Sequence, residues 1–169
     1  MPSARVFALI ALASIGGCDR EVSQLRASAP TAARTQAVVA AEAFPGQFAY
    51  QEAKGLIQIN DLRGAVNSLQ HAIEQNPEFS EAYYQLGAAK TNLAIQAVRS
   101  DERSAINLFR EGVEAKKQAR HLMTRNKYYV WNERQREQAW IDLREALRDV
   151  DAVLADEPSL VAALKMYGS

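Results

Sequence analysis

The chain contains few of the residues from which catalytic and metal sites are usually built. It has one cysteine, Cys18, and two histidines, His71 and His121, which lie far apart in the sequence. A single cysteine excludes a disulfide bond within the chain. Lys and Arg together number 20, as do Asp and Glu, so the formal net charge is zero. Nucleic-acid-binding proteins usually show a basic excess, so we expect no nucleic-acid partner.

Glycine and proline are also scarce, with 8 and 5 residues among 169. Ala, Leu, Gln, Glu and Arg are abundant, and these residues favour helices. The sequence shows no convincing apolar–polar alternation of the kind that predicts strands. The length fits a single domain. We therefore predict an all-α fold.

Sequence patterns typical of enzymes are missing as well. The two histidines and the carboxylates form no cluster with metal-ligand spacing. There is no nucleophile elbow and no phosphate-binding glycine loop. The carboxylates lie at the spacing of solvated helix faces, within reach of Arg side chains four residues away. We expect no catalysis, no metal and no cofactor.

No apolar run is long enough to form a permanent membrane span, but a short one lies near the N-terminus. Residues 6–15 are apolar and follow the positive flank of Arg5. A membrane-spanning helix needs about 20 residues, whereas this length fits the core of a secretory signal. Two small residues and Cys18 come directly after the run. We therefore predict that residues 1–17 are a signal peptide.

The segment Ile15-Gly16-Gly17-Cys18 resembles the lipobox of bacterial lipoproteins. The resemblance implies cleavage before Cys18, a diacylglyceryl group on its sulfur and commonly an acyl group on its new amine. The mature chain would then be anchored to a membrane and face the periplasm. Asp19 resembles an inner-membrane retention signal, which favours the inner over the outer membrane. The alternative is an ordinary signal peptide with an incidental cysteine.

Residues 18–45 are predicted to tether the anchor to a helical domain at residues 46–169. The tether is rich in Ala, Ser, Thr and Gln and contains Pro30. Residues 19–31 fit a disordered spacer. Residues 31–44 could form a lone helix that Thr31 caps and Pro45-Gly46 ends. This helix has little apolar bulk and would need to dock to be stable.

Two helices with a polar turn are predicted at the start of the helical domain. The first covers residues 47–59 and directs Phe48, Ala49, Ala53, Leu56 and Ile59 toward the core. Asn60-Asp61 forms the turn. The second covers residues 62–75 and places Ala65, Leu69, Ala72 and Ile73 on one face. Asn76-Pro77 ends it, because a residue before proline disfavours the helical conformation.

This pattern resembles the tetratricopeptide repeat (TPR). Ala65, Leu69, Ala72 and Pro77 match four defining positions of that family, and Tyr83, Leu86 and Gly87 match the opening of a second unit that starts at Ser80. Ala49 and Glu52 depart from the family pattern. The resemblance implies a short array of two to three helix-turn-helix units, an α-solenoid, whose usual role is to bind another protein.

The later units are less regular. In the second, Ala105, Phe109 and Gly112 repeat the small-large-small spacing six residues late, so we predict a first helix that extends to about Arg99 and a cap at Ser100 or Asp101. In the third, a helix is predicted at residues 128–140, followed by a turn at Ile141-Asp142. The alternative there is one long helix at residues 129–156. A short capping helix is predicted at residues 159–166.

The family frame also implies a concave partner groove. Its groove-facing positions correspond here to Tyr50, Lys54, Tyr84, Asn92 and Trp131, and the three aromatic residues would form a stripe that grips an apolar or extended partner segment. The alternative is that these rings pack between repeats. Lys54 alone does not make the carboxylate clamp of the chaperone-binding members.

A stretch with interleaved basic and aromatic residues follows the second unit. It comprises Lys116, Lys117, Arg120, Arg125, Lys127, Tyr128, Tyr129 and Trp131. We interpret it as a solvated face or a contact with anionic lipid headgroups.

The sequence as a whole favours a membrane-anchored protein-protein interaction adaptor of the bacterial cell envelope. One alternative is a pilotin-like assembly factor for a secretin or pilus component. Another, of a different class, is a periplasmic protein that binds a small ligand.

Overall fold

The computed structural model describes residues 44–125 and 130–168, and this part of the chain is entirely helical. Its helices are α1 (Gln47–Gln58), α2 (Leu62–Gln75), α3 (Ser80–Ala97), α4 (Glu102–Met123), α5 (Glu133–Ala146), α6 (Val150–Ala155) and α7 (Glu157–Tyr167). The all-α prediction is therefore confirmed over these residues. The predicted signal peptide, Cys18 and the tether up to residue 43 lie outside them, as do Lys127, Tyr128 and Tyr129. None of the described helices is both long and apolar enough to cross a membrane.

Helices α1 and α2 form a hairpin close to the predicted boundaries. Asn60 adopts the left-handed conformation (φ 60°) in the turn, and the Asp61 carboxylate accepts a hydrogen bond from the Gly64 backbone N–H at 3.0 Å. Asn tolerates this conformation, and an Asp at the N-cap satisfies one of the unpaired donors of the first turn. On the inner face of α2, Ala65, Leu69 and Ala72 are fully buried.

The predicted orientation of α1 is partly wrong. Ala49 and Ala53 are buried, but Phe48 and Ile59 are 69% and 74% exposed. The two residues are eleven positions apart, which is about three helical turns, and so they share one face. Helix α1 is the first described helix and packs mainly on α2, which leaves the face with Phe48 and Ile59 exposed.

Helices α3 and α4 cross at two glycines. A Cβ added to Gly87 would lie 2.9 Å from the Gly112 carbonyl oxygen, and one added to Gly112 would lie 3.0 Å from the Gly87 carbonyl oxygen. Only glycine permits so close an approach of two backbones. The Asp101 side chain caps α4 by accepting from the Ser104 N–H at 2.9 Å, as predicted.

The third predicted unit has its turn at a different position from the predicted one. Ile141 and Asp142 lie inside α5, and the turn falls at residues 147–149, where Asp149 has φ 57°. Both the predicted turn and the alternative of one long helix are therefore wrong. Helix α5 continues through residue 142 because Asp142 and the neighbouring Leu143 are buried on its inner face.

Helices α6 and α7 pack on the end of the α3–α4 pair. The Asp156 side chain accepts from the Ser159 N–H, and Pro158 lies in the first turn of α7, where its missing N–H has no intrahelical partner to lose. Leu160, Ala163 and Leu164 of α7 share a hydrophobic cluster with Phe109 of α4. A helix at the position of the predicted capping helix is confirmed, although it is longer than residues 159–166.

Candidate partner-binding site

The buried carboxylate of Glu81 lies next to residues that the sequence predicts to line a groove. Glu81 lies in the first turn of α3 and is 0% exposed. One of its oxygens accepts hydrogen bonds from the backbone N–H groups of Val130 and Trp131, at 2.9 and 3.3 Å. The other accepts from the Ser80 hydroxyl at 2.9 Å. These donors offset the cost of removing the carboxylate from water.

Trp131 does not lie on a helix, contrary to the prediction. Helix α5 begins after Asn132, whose side chain accepts from the Gln135 N–H while the Gln135 side chain accepts from the Asn132 N–H. This capping box fixes the helix start and leaves the preceding residues outside it. The half-buried Trp131 ring packs edge-to-face on Tyr84, with centroids 5.1 Å apart.

Tyr50 is part of the core rather than of an open groove. It is 1% exposed, and its ring lies 4.8 Å from that of Phe79. Burial chiefly, and the Glu81 carboxylate in addition, raise the pKa of Tyr50, while hydrogen bonds with Trp131 and Gln85 act in the opposite direction. The alternative reading, in which the rings pack internally, is thus correct for Tyr50.

Tyr50, Glu81 and Tyr84 all contact residues 130–131, and we call this set of three residues the docking cleft. Trp131 contacts both tyrosines, with its ring against Tyr84 and a side-chain hydrogen bond to Tyr50, but it comes from the non-helical residues before α5 and not from a third helix face. Lys54 is one turn beyond Tyr50 and Asn92 is two turns beyond Tyr84. Both are half-buried and continue the same helix faces.

A second polar group joins α5 to the helices beneath it. The Tyr84 hydroxyl donates to Asp142 at 3.0 Å, and the Gln138 side-chain amide donates to the other Asp142 oxygen at 2.8 Å. Asp142 is itself buried. Of these two bonds, the one from Tyr84 links α5 to α3, whereas Gln138 lies on α5 itself. Ala139 and Leu143 add apolar packing against Ala119 and Met123 of α4.

The interpretation of the basic stretch as a solvated face is wrong for Lys116. It is 3% exposed, and its amine has no hydrogen-bond partner among the described residues. Burial lowers the pKa of Lys116 to about 8, and the nearby Asp142 carboxylate opposes that shift. Elsewhere in the stretch, Lys117 pairs with Glu114 and Asp151.

Arg120 of the same stretch lies over the Trp140 ring, with its guanidinium carbon 5.8 Å from the ring centroid. Among the described basic residues of the stretch, Lys116, Lys117 and Arg120 are therefore each engaged in burial or in contacts within the protein.

Glu81, Lys116 and Asp142 were not predicted as site residues. Nothing in the local sequence marks Glu81, because its partners lie about fifty residues away. The position of Trp131 was predictable, since Asn132 and Gln135 have the spacing of a capping box.

Two observations on the described residues concern ligand sites of other kinds. No group of three or more His, Asp or Glu side chains within them is placed to hold a metal ion. A solvent-open groove of about 540 Å³ lies between α4 and α7, lined by Ile106, Pro158, Val161 and the ion pair of Glu102 with Lys165, among others. Its shape is not that of an enclosed pocket for a small ligand.

Comparisons with protein-family models, with curated proteins and with solved structures found no match to this chain. The function is therefore argued from the chain's own residues.

Proposed function

We propose that this protein is a lipid-anchored adaptor of the bacterial cell envelope, which holds a partner protein against a short TPR-like helical array. The array comprises the α1–α2 and α3–α4 hairpins, with α5 and α6 as an irregular third unit and α7 as the capping helix. The anchor on Cys18 would confine the array to the membrane surface and raise the local concentration of its partner complex.

The observation that carries this proposal is the stacking of two helical hairpins at small residues. Ala65 and Ala72 are fully buried in the first hairpin, and Gly87 meets Gly112 in the second. Helix α2 also packs on α3, so the two hairpins share a continuous core. Small residues at helix crossings and nearest-neighbour packing are what helical-repeat interaction modules require.

The anchor is tested by a Cys18→Ser substitution. Wild-type protein should fractionate with membranes, and the mass of its N-terminal peptide should include the lipid. The variant should leave the membrane fraction, because about 0.8 kcal/mol of transfer free energy per acyl methylene is lost. An unmodified Cys18 in wild-type protein would contradict the anchor.

The adaptor role is tested by photocrosslinking in intact cells. A photoreactive residue at position 92, on the groove face of α3, should trap a defined envelope protein. The matched control places it at position 71, because His71 is exposed on the outer side of α2. Equal capture at both positions would indicate non-specific contact and contradict the proposal.

A further inference from the structure

The contacts of residues 130–131 in the docking cleft are of the kind that a separate peptide could make. Glu81 accepts hydrogen bonds from backbone N–H groups, which every residue except proline carries. The Trp131 ring adds an edge-to-face contact with Tyr84, and Val130 packs against the hydrophobic cluster around Tyr50. The backbone is extended at Asn132, where φ is −74° and ψ is 171°.

We propose that the docking cleft is the partner-binding site, and that residues 130–131 occupy it as a built-in competitor. The partner it fits is a protein segment that bends as residues 130–131 do, so that two consecutive N–H groups face one oxygen, with an aliphatic residue followed by an aromatic one. This inference rests on the proposed adaptor function and names the chemistry of the segment that the array binds.

The local packing makes the competitor displaceable. Residues 133–138, which form the first half of α5, are all exposed, and the buried side chains of α5 are limited to Ala139, Asp142, Leu143 and Ala146. By contrast, α3 and α4 bury residues along their full length and meet through their backbones. Elements with few buried contacts open at lower free energy than the rest of a fold. Release of residues 130–131 therefore does not require the α1–α4 core to unfold.

Glu81 sets the requirement on the partner. Without residues 130–131 the buried Glu81 carboxylate loses two of its hydrogen bonds, and a partner that restores them is favoured because removing donors from a buried charge is costly. The partner must therefore present two consecutive backbone N–H groups, which excludes proline at either position. Its aromatic side chain would replace Trp131 against Tyr84.

The test uses the full-length chain purified in detergent and a fluorescein-labelled peptide with the sequence of residues 130–138, VWNERQREQ. Binding is followed by fluorescence polarisation. In wild-type protein the covalently attached segment competes at an effective concentration of about millimolar, so binding should be weak. Trp131→Ala removes the ring but keeps both backbone N–H groups, so it should weaken the attached competitor and tighten peptide binding by about tenfold or more. Trp131→Leu, which leaves a smaller void, should behave in the same way.

Three controls make the result specific. Arg134→Ala changes an exposed residue of the same segment and should bind as wild type does. Adding Glu81→Gln to Trp131→Ala should weaken binding again, because a neutral amide oxygen is a weaker acceptor than the charged carboxylate. A peptide with Ala in place of Trp should bind poorly to every variant.

Unchanged affinity in the two Trp131 variants, with intact thermal transitions, would overturn the inference. Loss of a cooperative transition in both would overturn it too, because residues 130–131 would then be an essential part of the core.

The outcomes separate the two proposals. If the peptide fails to bind but crosslinking at position 92 still captures a partner, only the competitor is wrong. If the peptide binds and no partner is crosslinked, the cleft chemistry stands and the adaptor role is wrong.

Discussion

At the scale of single residues, Lys116 has a buried amine that is shielded from solvent and has no hydrogen-bond acceptor among the described residues. Its stem packs over Gly87, since a Cβ there would lie 2.6 Å from the Lys116 Cγ. Its pKa is lowered from 10.5 to about 8, which means that the charged amine destabilises the folded state by roughly 3 kcal/mol. The missing side chain of Gly87 thus creates the space in which the aliphatic stem of Lys116 packs.

This burial predicts an unusual pH dependence. Between pH 8 and 10.5 the unfolded chain holds the Lys116 proton and the folded chain does not, so the free energy of unfolding rises with pH. Lys116→Met should remove this rise. At pH 7 the variant should be more stable than wild type by roughly 1 to 3 kcal/mol, and the difference should mostly vanish by pH 10. Urea unfolding at a series of pH values measures both effects.

Lys117→Met is the matched control for that experiment. Lys117 is partly exposed, and hydrogen bonds and ion pairs with Glu114 and Asp151 raise its pKa. The stabilising contribution of Lys117 is present below the ordinary pKa of a lysine and is lost only above it. Lys117→Met should therefore retain the rise in the free energy of unfolding between pH 8 and 10. If Lys116→Met also retained the rise, the amine would not be titrating in this window.

At the scale of helices, the sequence predicts α1 to α4 well and α5 poorly, and the reason is physical. The first four helices have local markers: the polar turn at Asn60-Asp61, the cap at Asp101, and small residues at each crossing. The turn before α6 has none, because Asp149 adopts a left-handed conformation that sequence patterns associate mainly with glycine. The docking cleft was predicted only in part, since Tyr50 and Tyr84 follow the repeat pattern whereas Glu81 depends on a distant segment.

The attachment of α5 gives a prediction of its own. Tyr84→Phe removes the hydroxyl that donates to Asp142, at a cost of about 1 kcal/mol. Because α5 has little apolar burial, the loss should appear as local opening: amides of residues 139–146 should exchange with solvent roughly fivefold faster, while those of α1 and α2 do not change. Tyr83→Phe, one position earlier on α3, is the control. Equal acceleration throughout the chain would mean that α5 opens only when the whole fold does.

At the scale of the whole molecule, the two larger hydrophobic clusters are joined through α3 and α4. One cluster includes Leu69, Phe79 and Leu86 and reaches α4 at Ala115. The other includes Ala94 and Phe109 and reaches α7 at Leu160. Helices α3 and α4 contribute to both clusters, so a substitution that destabilises one cluster should also destabilise the other. We therefore expect α1–α4 and α7 to unfold as one cooperative unit, with α5 as the element that opens separately.

Leu160→Ala tests this cooperativity. Leu160 is fully buried in α7, so its truncation should destabilise the fold by roughly 2 to 5 kcal/mol. The decrease should be seen equally by circular dichroism, which reports on all helices, and by exchange of the α2 amides at the far end of the chain. Met166→Ala, at an exposed position of the same helix, should change stability by less than about 0.5 kcal/mol. If α2 keeps its protection when α7 is damaged, the hairpins fold as independent units, and the chain is then a series of separable repeats held together only by neighbouring contacts.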